Sequence, residues 1–298
     1  MATHRRVAWY LNLDADLELE ARTRYAPTQR VIAAMSTPRR RLAEQLAREG
    51  DVIVDESSAK GSATGCVGVA FCPTPRALER LEFVGAERRA APSFDVLRRV
   101  NDRAFCASLG QTLASATWVE RTDGAFAHLA TTPTISDRWR CKRAFGMAGR
   151  GQRVVSPGAL APLDEAFVRA SFASGGLQIE PDCPIETEIC AHGFVDEGGR
   201  VDEGAPVAQR CDARGAWLST DRLDDARTDD LIATLRAQLQ LVGEALHRAG
   251  YFGAFGVDAF TFLRPDGSRA VQPRSEINAR LSMGFAVGFG VDRLRARL

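Results

Sequence analysis

Residues 253–284, GAFGVDAFTFLRPDGSRAVQPRSEINARLSMG, constrain the chain more than any other stretch. Pro265, Asp266 and Gly267 form a turn, with proline presetting φ at the first corner and glycine taking the positive φ that closes it. Residues 256–264 are rich in Val, Phe and Thr, as a strand is. After the turn, Arg274, Glu276, Asn278 and Arg280 fall on every second position, so a strand points all four to one face. Ile277, Ala279 and Leu281 take the other face and can pack. Folding the arms about the turn brings Asp258 close to Glu276. Two carboxylates and an amide oxygen then share a face with cations beside them. Oxygen ligands of this kind suit Mg²⁺, which keeps waters and shares its shell with substrate phosphates. An edge hairpin with a solvated polar face is the plainer alternative. Asp258 argues against it, because an apolar, glycine-flanked strand rarely buries a carboxylate without a partner.

Upstream, the pattern alternates strand and helix. Strands are expected over residues 7–13, 51–55 and 67–71. Helices are expected from Thr37-Pro38 through Arg48, from Pro75, and over 94–100 behind a Ser93 cap. Strand, helix, strand describes a small α/β unit. Asn101 is expected to cap a further helix that ends at Gly110, before a strand at 117–120. Residues 138–145 read as a strand carrying Lys142. Gly146, Gly149 and Gly151 follow it and let backbone N–H groups approach an anion closely. A strand over 176–180 ends in Glu180-Pro181, and another over 185–195 carries Glu186 and Glu188 on alternate positions. Thr228 caps a helix over 229–249 with Leu231, Leu235, Leu239, Val242 and Leu246 on one face.

Asp258 followed by Glu276-x-Asn278-x-Arg280 resembles the metal-binding end of the ATP-grasp superfamily, whose members include D-alanine–D-alanine ligase and many carboxylate–amine ligases. The resemblance covers roughly residues 101–290. It implies an α/β (α+β) chain: an N-terminal α/β domain over 1–100 and an ATP-grasp domain over 101–298. A lid subdomain would occupy about 115–185, and the C-terminal subdomain would be an antiparallel sheet. It implies ATP and two Mg²⁺ ions as cofactors, Mn²⁺ being an acceptable substitute, with Asp258, Glu276 and Asn278 as metal ligands. Lys142 matches the lysine on the α/β-phosphates, and Gly146, Gly149 and Gly151 the phosphate-covering loop. Gln178, Glu180 and Pro181 match the adenine hinge. Glu188 matches the ribose ligand, with Glu186 the alternative on the same face. Arg103 stands where the family often has its first phosphate lysine, a planar fork in place of a point charge. Arg280, Lys142 and Arg274 are the implied catalytic cations, and Ser282, Met283 and Gly284 would set backbone N–H groups near the reacting carboxylate.

The activity implied is ATP-dependent ligation of a carboxylate to an amine through an acyl-phosphate. A small-molecule kinase, or a nucleotide-binding module without turnover, would use the same residues. No Ser/His/Asp or Cys/His constellation is visible, and phosphoryl transfer requires no protein nucleophile. The partners implied are small-molecule acids and amines, and a homodimer is compatible with the pattern. With 39 Lys+Arg against 38 Asp+Glu, the chain has no charge bias toward nucleic acid or a membrane surface. Neither a signal peptide nor a spanning segment is expected. The 7 cysteines include no C-x-x-C pair and read as reduced thiols of a cytoplasmic protein.

Overall fold

The protein is described by a computed structural model over residues 5–21, 23–146, 149–212, 217–223 and 229–298. The expected Thr228 cap, and positions 147–148 of the glycine loop, lie outside the described residues. The chain opens with β1 (Val7–Tyr10), α1 (Ala15–Glu20), α2 (Gln29–Leu46), β2 (Val52–Val54), β3 (Val67–Ala70) and α3 (Pro75–Phe83). The three strands form a parallel sheet in the order β2-β1-β3. All four residues of β1 are buried, as a central strand covered on both faces requires. The helix expected to open at Thr37-Pro38 begins instead at Gln29, where the Thr28 hydroxyl accepts from the Val31 N–H. Pro38 sits in its interior. The missing N–H there leaves the carbonyl of Ala34, an exposed residue, to water.

Two short helices follow, α4 (Phe94–Asn101) and α5 (Arg103–Ser108). Asn101 ends α4 and does not cap α5. Its side chain is engaged at 2.8 Å with the Leu97 carbonyl and at 2.9 Å with the N–H of Ala279. The α5 cap is Asp102, which accepts from the Ala104 N–H. Next come β4 (Thr117–Val119), α6 (Thr122–Leu129), β5 (Trp139–Arg143), β6 (Gln152–Val155), α7 (Pro162–Ser171) and β7 (Leu177–Pro181). These strands make an antiparallel sheet in the order β4-β7-β5-β6, around a core of its own that includes Leu129, Trp139, Val168 and Ile179.

The last sheet is also antiparallel. It comprises β8 (Ile185–Val195), β9 (Val201–Glu203), β10 (Val207–Cys211), β11 (Trp217–Arg222), β12 (Gly253–Leu263) and β13 (Arg269–Asn278). The order is β11-β10-β8-β12-β13, with β9 paired to β8. The helix α8 (Asp229–Arg248) buries Leu231, Leu235, Leu239, Val242 and Leu246, as its 3.6-residue pattern requires. A π-turn (Ala286–Gly290) and α9 (Val291–Arg295) complete the chain. Trp9, Leu42 and Phe71 from the first sheet layer share one core with Phe255, Ile277 and Phe285 from the last. Among the described residues no helix is long and apolar enough to cross a membrane. All seven cysteines are free thiols.

Candidate nucleotide and metal site

The β12–β13 hairpin closes at Gly267, whose φ of 80° is the left-handed value expected of the turn. Its register sets Asp258 opposite Glu276 and Gly256 opposite Asn278. The Asn278 amide donates to Asp258 Oδ2 at 2.8 Å. Burial, followed by the Glu276 charge opposite, pushes the Asp258 carboxyl up to about 6. Glu276 accepts at 2.6 Å from Arg103, itself only 4% exposed. The second Arg103 Nη donates to the Arg143 carbonyl at 2.8 Å, at the end of β5. One guanidinium thus joins the acidic face to the strand that carries Lys142.

Beyond Glu276 the strict alternation fails. The register passes from Asp258–Glu276 to Phe260–Gln272, so four positions of β13 run opposite two of β12. Pro273 lies inside this bulge, where its lack of an N–H costs the ladder nothing. Arg274 is consequently not aligned with Glu276 and Asn278. It donates to Gln238 Oε1 of α8 at 2.6 Å and to the Gly110 carbonyl. Arg280 lies past the end of β13 and pairs with Asp16 of α1 at 2.8 Å, stacked over the Phe71 ring. The four side chains expected on one face therefore divide: Glu276 and Asn278 join Asp258, while Arg274 and Arg280 have other partners.

Lys142 and Glu180 form a buried ion pair at 2.5 Å between β5 and β7. Gln178, also buried, lies opposite Lys142 in the register, and Pro181 opposite Trp139. Gly149 and Gly151 adopt φ of 75° and 77°. At Gly146 an added Cβ would lie 2.8 Å from the Arg150 carbonyl and 3.2 Å from Arg103 Nη1, so the loop packs against that arginine. The two glutamates of β8 separate. Glu186, near the outer end, accepts from Arg269 at 2.6 and 3.0 Å. Glu188 lies opposite Phe260, one face position from Cys190, which is opposite Asp258.

Sequence reading missed one cluster. His192 is fully buried; its Nε2 lies 2.6 Å from Ser282 Oγ and 3.3 Å from Cys190 Sγ. The Cys190-x-His192 spacing on the strand beside Asp258 was the available signal. The expected absence of a Cys/His constellation is corrected as to geometry only. Burial lowers the His192 pKa to about 3 and raises the Cys190 thiol well above its usual value. Both are neutral, so the pair holds no thiolate.

Among the described residues no three His, Cys, Asp or Glu side chains converge as a metal cage. Two facing carboxylates and an amide nevertheless fit a hard cation that completes its shell with phosphate oxygens and water. Asp258 is also held in a place that penalises its negative charge, which a divalent cation would relieve.

No family model matches the sequence, and no curated protein matches it. Solved structures do match its fold. Biotin carboxylase from Campylobacter jejuni, in a β,γ-ATP complex, is 14% identical with a TM-score of 0.59, over 97% of this chain and 69% of that one. D-alanyl-alanine synthetase A from Vibrio cholerae O1 biovar eltor is 10% identical with a TM-score of 0.55, over 99% and 94%. The ADP complex of purK, N5-carboxyaminoimidazole ribonucleotide synthetase, is 15% identical with a TM-score of 0.52, over 95% and 72%. At these identities the likeness speaks to architecture. The antiparallel C-terminal sheet, the four-stranded sheet that precedes it and the parallel N-terminal layer together give this chain the ATP-grasp fold.

Proposed function

We propose that the chain is an ATP-dependent carboxylate–amine ligase that forms an amide or peptide bond through an acyl-phosphate, releasing ADP and phosphate. The observation that carries this reading is Asp258 facing Glu276, with Asn278 bonded to Asp258 and Arg103 tying that face to the strand of Lys142. Support comes from the structural relatives, among them an ADP complex of a carboxyaminoimidazole ribonucleotide synthetase and a D-alanyl-alanine synthetase.

In this reading Lys142, Gly146, Gly149 and Gly151 hold phosphates. Gln178, Glu180 and Pro181 hold the adenine edge, and Glu188 the ribose. Asp258, Glu276 and Asn278 would hold Mg²⁺, which supplies charge neutralisation as the phosphoryl group moves. A substrate carboxylate oxygen attacks the γ-phosphorus and ADP departs. The amine nitrogen then attacks the acyl carbon, phosphate leaves with the C–O electron pair, and the nitrogen loses a proton. Arg280, pre-set by Asp16 and Phe71, faces the negative charge of the acyl-phosphate. His192 holds the Ser282 hydroxyl, and with it the entry to the Ser282–Gly284 backbone that positions the carboxylate.

Hydroxylamine traps an acyl-phosphate as a hydroxamate. With pools of carboxylic acids, ATP, Mg²⁺ and hydroxylamine, we expect ADP release accompanied by a hydroxamate whose yield falls when amines compete. A stable phosphorylated product formed with one ADP per molecule would replace the ligase with a kinase.

A further inference from the structure

On the face that carries Asp258, β8 presents Cys190 opposite Asp258 and His192 opposite Gly256. Gly256 has no side chain to offer there, and three others close over the gap. A Cβ on Gly256 would lie 3.3 Å from Cys190 Sγ, 3.6 Å from Ser282 Oγ and 3.7 Å from His192 Cδ2. Cys190 and His192 are fully buried, and Ser282 is nearly so. The contacts run in sequence. His192 Nε2 lies 2.6 Å from Ser282 Oγ. Cys190 is hydrogen-bonded both to Ser282 and to Asp258.

The direction of these bonds follows from counting protons. Burial lowers the His192 pKa to about 3, so the ring is neutral and has one N–H to place. Nδ1 is buried with no hydrogen-bond partner, and the Gly288 backbone is so close that a Cβ there would strike it. A proton on Nδ1 is an orphaned buried donor, which folded proteins rarely keep. On Nε2 the same proton is donated to Ser282 Oγ. Ser282 then has its own O–H to donate, and Cys190 Sγ is the acceptor it meets. The thiol proton has two acceptors in turn, the Asp258 carboxylate and the Ala191 carbonyl at 3.7 Å. The carboxylate is the stronger of the two.

We propose that His192, Ser282 and Cys190 are positioning residues for the metal ligand Asp258, joined in a one-way chain of hydrogen bonds from Nε2–H through Oγ–H and Sγ–H to its carboxylate. The inference rests on the reading of Asp258 as a metal ligand. Together with the Asn278 amide, the thiol fixes the plane of that carboxylate. Both donors are neutral, so they hold Asp258 without cancelling its charge, which is left for the cation. Groups that orient a ligand in this way govern metal affinity although they never touch the metal.

The chain has 4 histidines, so the ring proton is open to two-bond proton–nitrogen correlation spectra of the full chain. His192 is assigned through the Phe285 ring, edge-on at 5.5 Å, and no variant is needed. The proton should sit on Nε2; a proton on Nδ1 would reverse the chain and overturn the proposal. Metal binding is the second readout. Calorimetry with an unhydrolysable ATP analogue, in Mn²⁺ and in EDTA, gives the affinity gained from the metal. Cys190→Ala and Cys190→Val should each cut that gain by roughly 10–100-fold, although valine refills the space. Cys190→Ser, which keeps a donor, should largely restore it. The opposite order, with valine near the parent and serine impaired, would show packing alone and overturn the proposal. A gain unchanged in all three variants would overturn it too, while leaving Asp258 a ligand. No gain from Mn²⁺ in the parent protein would overturn the metal reading itself, and this inference with it.

Discussion

Asp258 holds a carboxylate where an apolar strand would exclude one, and its neighbours decide what that carboxylate can do. Asn278 donates to it, Glu276 repels it, and burial disfavours its charge. The double variant Asp258→Asn with Glu276→Gln removes both oxygens' charge with little change of shape. It also leaves the buried Arg103 without its charge partner, so stability should fall by about 3–5 kcal/mol. In protein shown by circular dichroism to be folded, Mg²⁺-dependent ATP turnover should be lost altogether, and retained turnover would place the metal elsewhere. His192 offers a pH test of its own. Its pKa is lowered to about 3 against an ordinary value of 6.5. Between those values the unfolded chain binds a proton that the native ring cannot. Stability is therefore full above about pH 6.5 and falls as pH drops through the window. From pH 7.5 to 5.0 the expected loss from this group is about 2 kcal/mol. Urea midpoints of the protein and of His192→Gln should diverge at neutral pH and converge at pH 5; parallel curves would acquit the histidine.

At the scale of elements, β5 and β7 meet through one buried ion pair. Lys142 and Glu180 are 8% and 3% exposed. Removing either partner alone strands a buried charge, at a cost of about 3–5 kcal/mol. Replacing both, as Lys142→Met with Glu180→Gln, conserves volume and leaves no unmatched charge, so the sheet should survive. Calorimetry with an unhydrolysable ATP analogue should then show affinity reduced by about tenfold or more, as expected for the loss of a charge-assisted contact. Unchanged affinity would reduce the pair to a structural role. The β12–β13 bulge acts at the same scale. It lets Glu276 and Asn278 face Asp258 while Arg274 turns toward α8 and the α5 end.

Over the whole molecule, Arg280 ties the end of the hairpin to α1. The pair with Asp16 joins residues 264 positions apart, with 11% and 9% of the side chains exposed. Leu281 N–H adds a bond to the Phe71 carbonyl. The N-terminal layer and the C-terminal sheet share one core, so this contact sits between parts that fold together. Arg280→Met should lower stability by about 3–5 kcal/mol, because Asp16 is left buried and unpaired. Adding Asp16→Asn to it should recover much of that loss. Chemical denaturation of the two variants measures both, and a loss of the same size in single and double variants would show that packing over Phe71, and not charge, makes the contact.

Local patterns determined much of this protein. A proline–glycine turn between two β-rich arms specified the hairpin but not its register at the site. The pairing next to the turn, Leu263–Arg269 to Phe260–Gln272, would extend to Asp258–Arg274, and the bulge around Pro273 supplies the two-residue shift that sets Asp258 against Glu276. Apolar spacing specified α8, and Ser93 its cap on α4. These are short-range effects, in which the residues that decide are neighbours along the chain or across one turn. Where a distant partner competed, the sequence reading gave way. Asn101 ends α4 because Ala279 needs its amide oxygen, and α2 runs through Pro38 because its cap lies at Thr28. Period two alone aligned Arg274 with Glu276, until a bulge around Pro273 and the waiting Gln238 and Gly110 carbonyl drew it away. Arg103 meets Glu276, and His192 meets Ser282, across 173 and 90 positions. Spacing carries no information about such pairs, since burial and the need to match buried charge select them only once the sheets have assembled.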